Sequence, residues 1–410
     1  MTRHKDNEQP PTWVAIDIAK HRNDVLIQPP GKRRYRMTIT NDRIDHDRLV
    51  EHLRAIGTPI HVGLEATGDY HRLVAWRLLS SGFVVSLVSS VALARTREAI
   101  HNGWDKNDPK DAQVILYMLS AGQVQRYYDP LQHGTNEWQE LSKTHEAISL
   151  AKTEVLHRLM THYMPLYFPE VDRFRHNSRS EWFFRFLHEF PVPSSIVSLS
   201  KSDFIAAAWP LIGRKVAKSR VLSDIYDTAQ SSAGLPIESD SVACAMYRVV
   251  ISQMRELIRH RDEIERQAHE LLHEHPDYQR LRQLPGIGPI HALTILAEAG
   301  DLRRFAHYRQ FLKFCGLDLA THQSGQFRGQ SKLSKYGNAR LRRTFWMAGQ
   351  IAIRQRENSF RDKYNRYVAR DRSDGDLRRK ALTAVAAKMA RVAHAVVKNG
   401  TDYRPFYEVR

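Results

Sequence analysis

Four carboxylates, Asp17, Glu65, Asp108 and Asp111, stand where an oxygen-donor metal site would draw its ligands from. Asp17 closes the apolar run WVAID at 13–17, and Glu65 closes IHVGLE at 60–65. Each ends a predicted strand, so neighbouring strands of one sheet bring the two acids together. In DPKD at 108–111 the aspartate reads as a cap and the proline as the first helical residue, predicting a helix start. The i, i+3 spacing sets Asp108 and Asp111 near one another across that first turn. Four such donors suit two Mg²⁺ ions about 3.5–4 Å apart, which polarise a phosphodiester and stabilise its attacking and leaving oxygens. Singly, each acid has a plain use as a cap or a surface charge; acids ending two strands, followed by a pair opening a helix, are what carry the reading. Asp69 and Asp105 are nearby alternatives.

A second group lies near the other end of the chain. The segment at 316–343, GLDLATHQSGQFRGQSKLSKYGNARLRR, has a Gly/Ser/Gln-rich front half that reads as an exposed loop. Its back half supplies Arg328, Lys332, Lys335, Arg340, Arg342 and Arg343, expected to surround a phosphate. Ser324, beside Gly325, is sterically accessible, with Ser331 and Ser334 as rivals; a serine hydroxyl attacks phosphorus when a base or metal helps remove its proton. Upstream, LPGIG at 284–288 followed by a helix at 290–299 reads as the hairpin of a helix-hairpin-helix element. Gly286 and Gly288 are expected to let backbone N–H groups approach a DNA phosphate without reading bases. HELLH at 269–273 matches a zinc-protease signature, but it falls at the end of a helical seam and has no third ligand; zinc is set aside.

The elements that must position these groups follow from periodicity. Residues 12–125 read as an α/β domain, three strands of a meander followed by alternating helices and strands, the order of an RNase H-like fold. Residues 136–275 read as a helical coiled-coil connector. A helix at 136–168 has seam positions Trp138, Leu141, His145, Ile148, Lys152, Val155, Leu159 and His162. A second run follows at Ala243, Tyr247, Val250, Met254, Leu257, Arg261, Ile264, Ala268 and Leu271. These pair as an antiparallel hairpin or mediate dimerisation. Between them, about 170–240 reads as an inserted helical module rich in aromatics and proline. Residues 280–400 form a mainly helical last domain.

The chain has 410 residues, with 62 Lys+Arg against 45 Asp+Glu and a formal net charge of +17. So basic a chain points to a polyanionic partner, nucleic acid ahead of a membrane surface. Cys244 and Cys315 stand far apart in no metal spacing, which fits a reducing cytoplasm and excludes a disulfide framework. The first residues lack the apolar core of a signal peptide, and no run is long enough to span a bilayer.

Six segments in order, AIDIAK at 15–20, GLEATGDY at 63–70, KNDPKDA at 106–112, LPGIGP at 284–289, FAHYRQFLKFCGL at 305–317 and QSGQFRGQSKLSKYGNARLRR at 323–343, make the chain resemble the IS-one-ten family of bacterial insertion-sequence transposases. That family is described as bridge-RNA-guided recombinases. The resemblance implies a RuvC-like N-terminal domain whose Asp-Glu-Asp-Asp set is Asp17, Glu65, Asp108 and Asp111, and a C-terminal transposase domain whose catalytic serine is Ser324. It further implies a covalent phosphoserine intermediate, Mg²⁺ on the carboxylates, strand exchange between double-stranded donor and target DNA, and a structured noncoding guide RNA. The assembly it implies is a tetramer, a dimer of dimers with a composite site shared between subunits, acting in the bacterial cytoplasm at the nucleoid. The module at about 170–240 is longer than in compact members. Two other readings remain: a hydrolytic junction resolvase in which Ser324 is structural, and a non-catalytic nucleic-acid-binding scaffold.

Overall fold

The computed structural model describes residues 9–101, 108–175, 181–213, 217–320, 323–324, 327–328 and 332–405, and of residues 101, 108, 109, 323, 324, 327 and 328 the backbone alone. The chain divides into two compact units, residues 1–133 and 134–410.

The first unit is built on a six-stranded sheet. β1 (Thr12–Asp17), β2 (Arg22–Gln28) and β3 (Tyr35–Thr40) form the antiparallel meander. After α1 (Arg43–Ala55) comes β4 (Ile60–Glu65), and after α2 (His71–Ser80) comes β5 (Val84–Val88). α3 (Ser90–His101), α4 (Asp108–Ser120) and the short β6 (Gln125–Arg126) complete the unit. The strand order is β3-β2-β1-β4-β5-β6, with β1, β4 and β5 mutually parallel. β6 pairs with β5, so this unit extends a few residues past the boundary expected at 125.

Both faces of the sheet are covered, which is why the central strands are apolar on both sides. On one face Val14, Ile16, Val62 and Leu64 pack against Leu49, Leu53, Val74 and Leu78 of α1 and α2. On the other, Ala15, Leu26 and Val88 pack against Ala112, Ile115 and Met118 of α4. On α1, Ile44 is 80% exposed, and His46, Leu49, Val50 and Leu53 face inward. Gly63 brings α4 close: a Cβ there would lie 3.2 Å from Leu119 Cδ2.

In the second unit α5 (Asn136–Arg158) and α11 (Val242–Leu272) are the two long helices. Trp138 meets His275, His145 meets Glu265 and Tyr163 stacks on Tyr247, so the helices run antiparallel as a hairpin within one chain. The seam on α11 keeps Tyr247, Val250, Met254, Arg261, Ile264 and Ala268. It moves by one residue at Cys244, Ile258 and Leu272, which are buried in place of Ala243, Leu257 and Leu271. A straight helix drifts about 20° per heptad from a 3.5-residue repeat, so a long strict seam cannot hold at every turn. On the other helix a π-helical turn at Leu159–Tyr163 precedes α6 (Met164–Tyr167) and buries Tyr163 while His162 faces water.

Between the long helices lie α7 (Glu181–Glu189), α8 (Pro193–Val197), α9 (Lys201–Ala208) and α10 (Lys218–Gln230). Their Phe183, Phe184, Phe186, Phe204, Leu222 and Ile225 share one core with Tyr247, Ile251 and Met254 of α11. The aromatic run of the insertion is therefore packing against the far half of the hairpin.

The near half joins the C-terminal elements: α12 (Pro276–Arg282), α13 (Pro289–Ala299), α14 (Tyr308–Phe314), α15 (Ala339–Ala352), α16 (Ser359–Val368) and α17 (Gly375–Asn399). Ala268 and Leu272 of α11 lie in the same core as Leu281, Leu293, Phe345 and Met389. The boundary expected between 275 and 280 is thus no division between compact units, because the connector's end is buried in the last domain's core.

Gly286 and Gly288 differ sharply in what they allow. Gly286 has φ +88°, and a Cβ there would lie 2.1 Å from the Ala348 carbonyl oxygen of α15. Gly288 caps α13 in extended backbone with nothing within 4 Å of a Cβ. Gly286 is thus demanded by helix packing, whatever its backbone N–H binds. Gly286→Ala should cost about 3 kcal/mol from overpacking and left-handed backbone, and Gly288→Ala within about 0.5 kcal/mol. Denaturant unfolding of the two variants checks the contrast.

Candidate active site

The sheet register makes neighbours of the first two carboxylates. Ile16 of β1 lies opposite Leu64 of β4, so Asp17 and Glu65 follow side by side at the carboxyl ends of parallel strands. Alternation puts Asp17 on the face of Ala15 and Glu65 on the face of Gly63, the face covered by α4. Both are partly exposed. The carboxyl edge of parallel strands is where α/β sheets hold ligands.

α4 begins at Asp108, and Asp111 lies in its first turn. Asp108's side chain is outside the described residues, as is Asp105. Asp111 is 1% exposed and forms an ion pair with Arg97 Nε of α3 at 2.6 Å. A carboxylate so buried needs a compensating charge, and here the guanidinium supplies it. Among the described residues, no three His, Cys, Asp or Glu side chains converge as a ready ligand set. Arg97 had no signal in the sequence, since nothing local ties it to an acid on the next helix.

The segment around Ser324 is less irregular than its composition suggests. β7 (Leu319–Ala320) pairs with β10 (Lys332–Leu333), and β8 (Gln323–Ser324) pairs with β9 (Phe327–Arg328). Two short antiparallel ribbons thus replace the expected loop, with Ser324 opposite Phe327 as the last pair of the second. The side chains of Ser324 and Arg328, and all of Ser331, lie outside the described residues. Ser334, the other rival, donates its hydroxyl to the Asp318 carboxylate, and its N–H bonds the Asp318 carbonyl at 2.9 Å. That hydroxyl clamps the two ends of the segment together.

The cations divide into two kinds. Arg340 is turned inward: Nε meets Glu146 of α5 at 2.6 Å, Nη2 donates to Ser142 at 2.9 Å, and Nη1 is paired with Glu298 of α13. The expected phosphate contact of Arg340 is therefore replaced by a three-helix tie, because two carboxylates already hold its guanidinium. Glu298 also accepts from Asn338 Nδ2 at 2.6 Å, the cap of α15. Arg342 donates to the Lys335 carbonyl at 3.1 Å and holds that residue at φ +58°, a left-handed conformation a lysine adopts only under constraint. Lys332, Lys335 and Arg343 stay exposed, although Arg343 also reaches Glu146 at 3.3 Å. A cavity of about 320 Å³ is lined by Leu317, Leu333, Lys335, Arg342, Arg343 and Trp346, three of them cations.

In the hairpin before α13, burial holds the His291 imidazole below its ordinary range, and Nδ1 donates to the Gly286 carbonyl at 3.0 Å. In HELLH, Glu270 is paired with Arg266 at 2.5 Å along the helix. Among the described residues no helix is long and apolar enough to cross a membrane.

Comparison with known proteins places two family models on the chain. A DEDD-type IS110 transposase model matches residues 14–169, and a model of the transposase IS116/IS110/IS902 family matches 278–365. The uncharacterized 44.8 kDa protein of insertion element IS116 from Streptomyces clavuligerus is 22% identical over 396 residues, 96% of each chain. The transposase for insertion sequence element IS1111A from Coxiella burnetii is 31% identical over 128 residues, 31% of this chain and 35% of that one.

The Arg97–Asp111 pair can be weighed directly. Arg97→Leu leaves a buried charge alone and should destabilise the protein by about 3–5 kcal/mol. Arg97→Leu combined with Asp111→Asn should recover a large part of that loss. A double-mutant cycle by urea unfolding measures it; additive losses would show that the two side chains do not depend on each other.

Proposed function

This chain belongs to the insertion-sequence transposases of the IS110 type, and we propose that it cuts and rejoins DNA through Ser324 with the carboxylates of the α/β unit acting at the same phosphate. The observation that carries the reading is the division of the two family matches. One covers Asp17, Glu65, Asp108 and Asp111, the other covers Ser324, and both fall in family order. The strand order β3-β2-β1-β4-β5, with β2 antiparallel to β1, supports an RNase H-like, RuvC-like assignment for the first unit.

The donor set suits a hard divalent cation. Asp17 and Glu65 offer oxygen ligands at adjacent strand ends, and Asp111 stands in the first turn of the helix covering that face. Asp111 would join them by exchanging Arg97 for the cation, one positive partner for another. Asp17, Glu65, Asp108 and Asp111 would hold Mg²⁺, which when bound neutralises charge on the phosphodiester oxygens. In the chemical step the Ser324 Oγ–P bond forms as the P–O bond to the departing strand breaks. The hydroxyl proton passes to a base, and the departing oxygen is protonated in turn. The ester keeps the phosphodiester energy, so reversal onto a second strand end completes a recombination. Lys332, Lys335 and Arg343 hold neighbouring phosphates, and binding should be strongly salt-dependent. A structured guide RNA and a dimer of dimers, with each site shared between subunits, complete the proposal; these rest on the family resemblance.

The test is a search for a covalent protein–DNA adduct on denaturing gels, with Mg²⁺, element-end and target DNA, and RNA transcribed from the element's flanks. The adduct should form with the native sequence and vanish in Ser324→Ala and Asp17→Ala. Cleavage without adduct, unchanged by Ser324→Ala, would instead identify a hydrolytic resolvase.

A further inference from the structure

A separate concentration of positive charge sits on α16 and α17, outside every motif considered so far. Lys363 and Arg366 stand one turn apart on α16, Lys388 and Arg391 one turn apart on α17, and the two helices pack together. The Arg391 guanidinium lies 5.6 Å from the ring of Tyr308 at the start of α14, and Arg309 and Arg391 hold the Tyr308 hydroxyl below its ordinary range. Lys388 Nζ lies 5.3 Å from the Phe360 ring and donates to the Ser359 carbonyl at 2.7 Å. Lys363 and Lys388 are half-buried, while Arg366 and Arg391 reach solvent.

The four cations stand close together with no acid paired to any of them among the described residues. Elsewhere in the same unit Arg303 is paired with Asp277, Arg340 with Glu146 and Glu298, and Arg379 with Asp376. Among the described residues none of the four cations forms an ion pair, and Asp362 alone offsets the charge near Lys388. Burial first, and the neighbouring cations second, hold both ammonium groups below the ordinary lysine range. Like charges gathered and partly desolvated in this way repel one another in the free protein. A polyanion laid across them would remove that repulsion.

We propose that Lys363, Arg366, Lys388 and Arg391, edged by Tyr308 and Arg309, form a second nucleic-acid backbone site that grips phosphodiesters. Its side chains are donors almost throughout, which suits phosphate oxygens and lacks the mixed donors and acceptors that reading base edges requires. This goes beyond the catalytic proposal and holds whether or not Ser324 is the nucleophile. The same chemistry is presented by duplex DNA and by structured RNA, so both serve as probes.

The experiment is equilibrium binding of the full-length chain to a short duplex of arbitrary sequence and to a folded RNA, across a salt titration and without Mg²⁺, so that no cleavage enters. Three proteins are compared: the native sequence, Arg366→Gln/Arg391→Gln, and Arg379→Gln as an exposed, acid-paired control on the same helix. The double variant should reduce the slope of log affinity against log salt by about 1.8 on duplex, or by about 1.4 if the RNA is bound as single strand. Affinity at moderate salt should fall about tenfold or more, with the melting midpoint unchanged or raised. Lys363→Gln alone should reduce the duplex slope by about 0.9. Loss on the duplex alone identifies DNA as the occupant and loss on the RNA alone identifies RNA, and either supports the site. Slopes and affinities equal to those of Arg379→Gln on both probes would overturn it.

Discussion

A carboxylate withdrawn from water has to be met by hydrogen bonds or a positive charge, and in each unit of this protein a guanidinium meets one such acid. In the α/β unit the acid is Asp111, and Arg97 answers it, which ties α3 to the first turn of α4. That tie sets where the helix carrying Asp108 and Asp111 begins against the sheet. In the helical unit the acid is Glu298, and Arg340 answers it together with the more exposed Glu146, binding α5, α13 and α15 together. Through Asn338, held by the same Glu298, the tie reaches the foot of the segment that carries Ser324. The two pairings act oppositely on the surrounding field. Arg97 cancels the negative charge of one acid, and Arg340 is withdrawn from a run of cations. Among the described residues of that run, the outward positive charge comes from Lys332, Lys335 and Arg343.

Much of this was readable from residue order, for physical reasons that differ between elements. The two acid-terminated apolar runs, WVAID and IHVGLE, could be read as neighbouring strand ends because burial on both faces leaves a continuous apolar segment that stops where the edge of the sheet begins. The long helices were legible through their seams. Their errors fall where two apolar residues stand adjacent, as at Leu257 and Ile258 or Leu271 and Leu272, because the partner's surface decides between them. The ion pairs were not legible. Arg97 with Asp111, and Arg340 with Glu146, join residues that only the folded chain brings together, and charge alone does not name a partner. The ribbons escaped for another reason: strands of two residues in a Gly/Ser/Gln-rich stretch carry too few side chains to show an alternation. The packing demand on Gly286 was hidden in LPGIG because a tight turn and a close helix approach ask for the same residue.

The α5–α11 hairpin is gripped at both ends by separate cores, the aromatic one of the insertion and the aliphatic one shared with α12 to α17. Between those grips the hairpin works as a ruler. Each residue added to one helix alone would advance that helix about 1.5 Å and turn it about 100°, pulling its seam out from under its neighbour. Matched changes of whole heptads in both helices would keep the seam facing inward. The interval between insertion and ribbon segment is therefore quantised: it can lengthen or shorten across relatives by paired steps of about 10 Å, and single-residue drift in either helix is penalised.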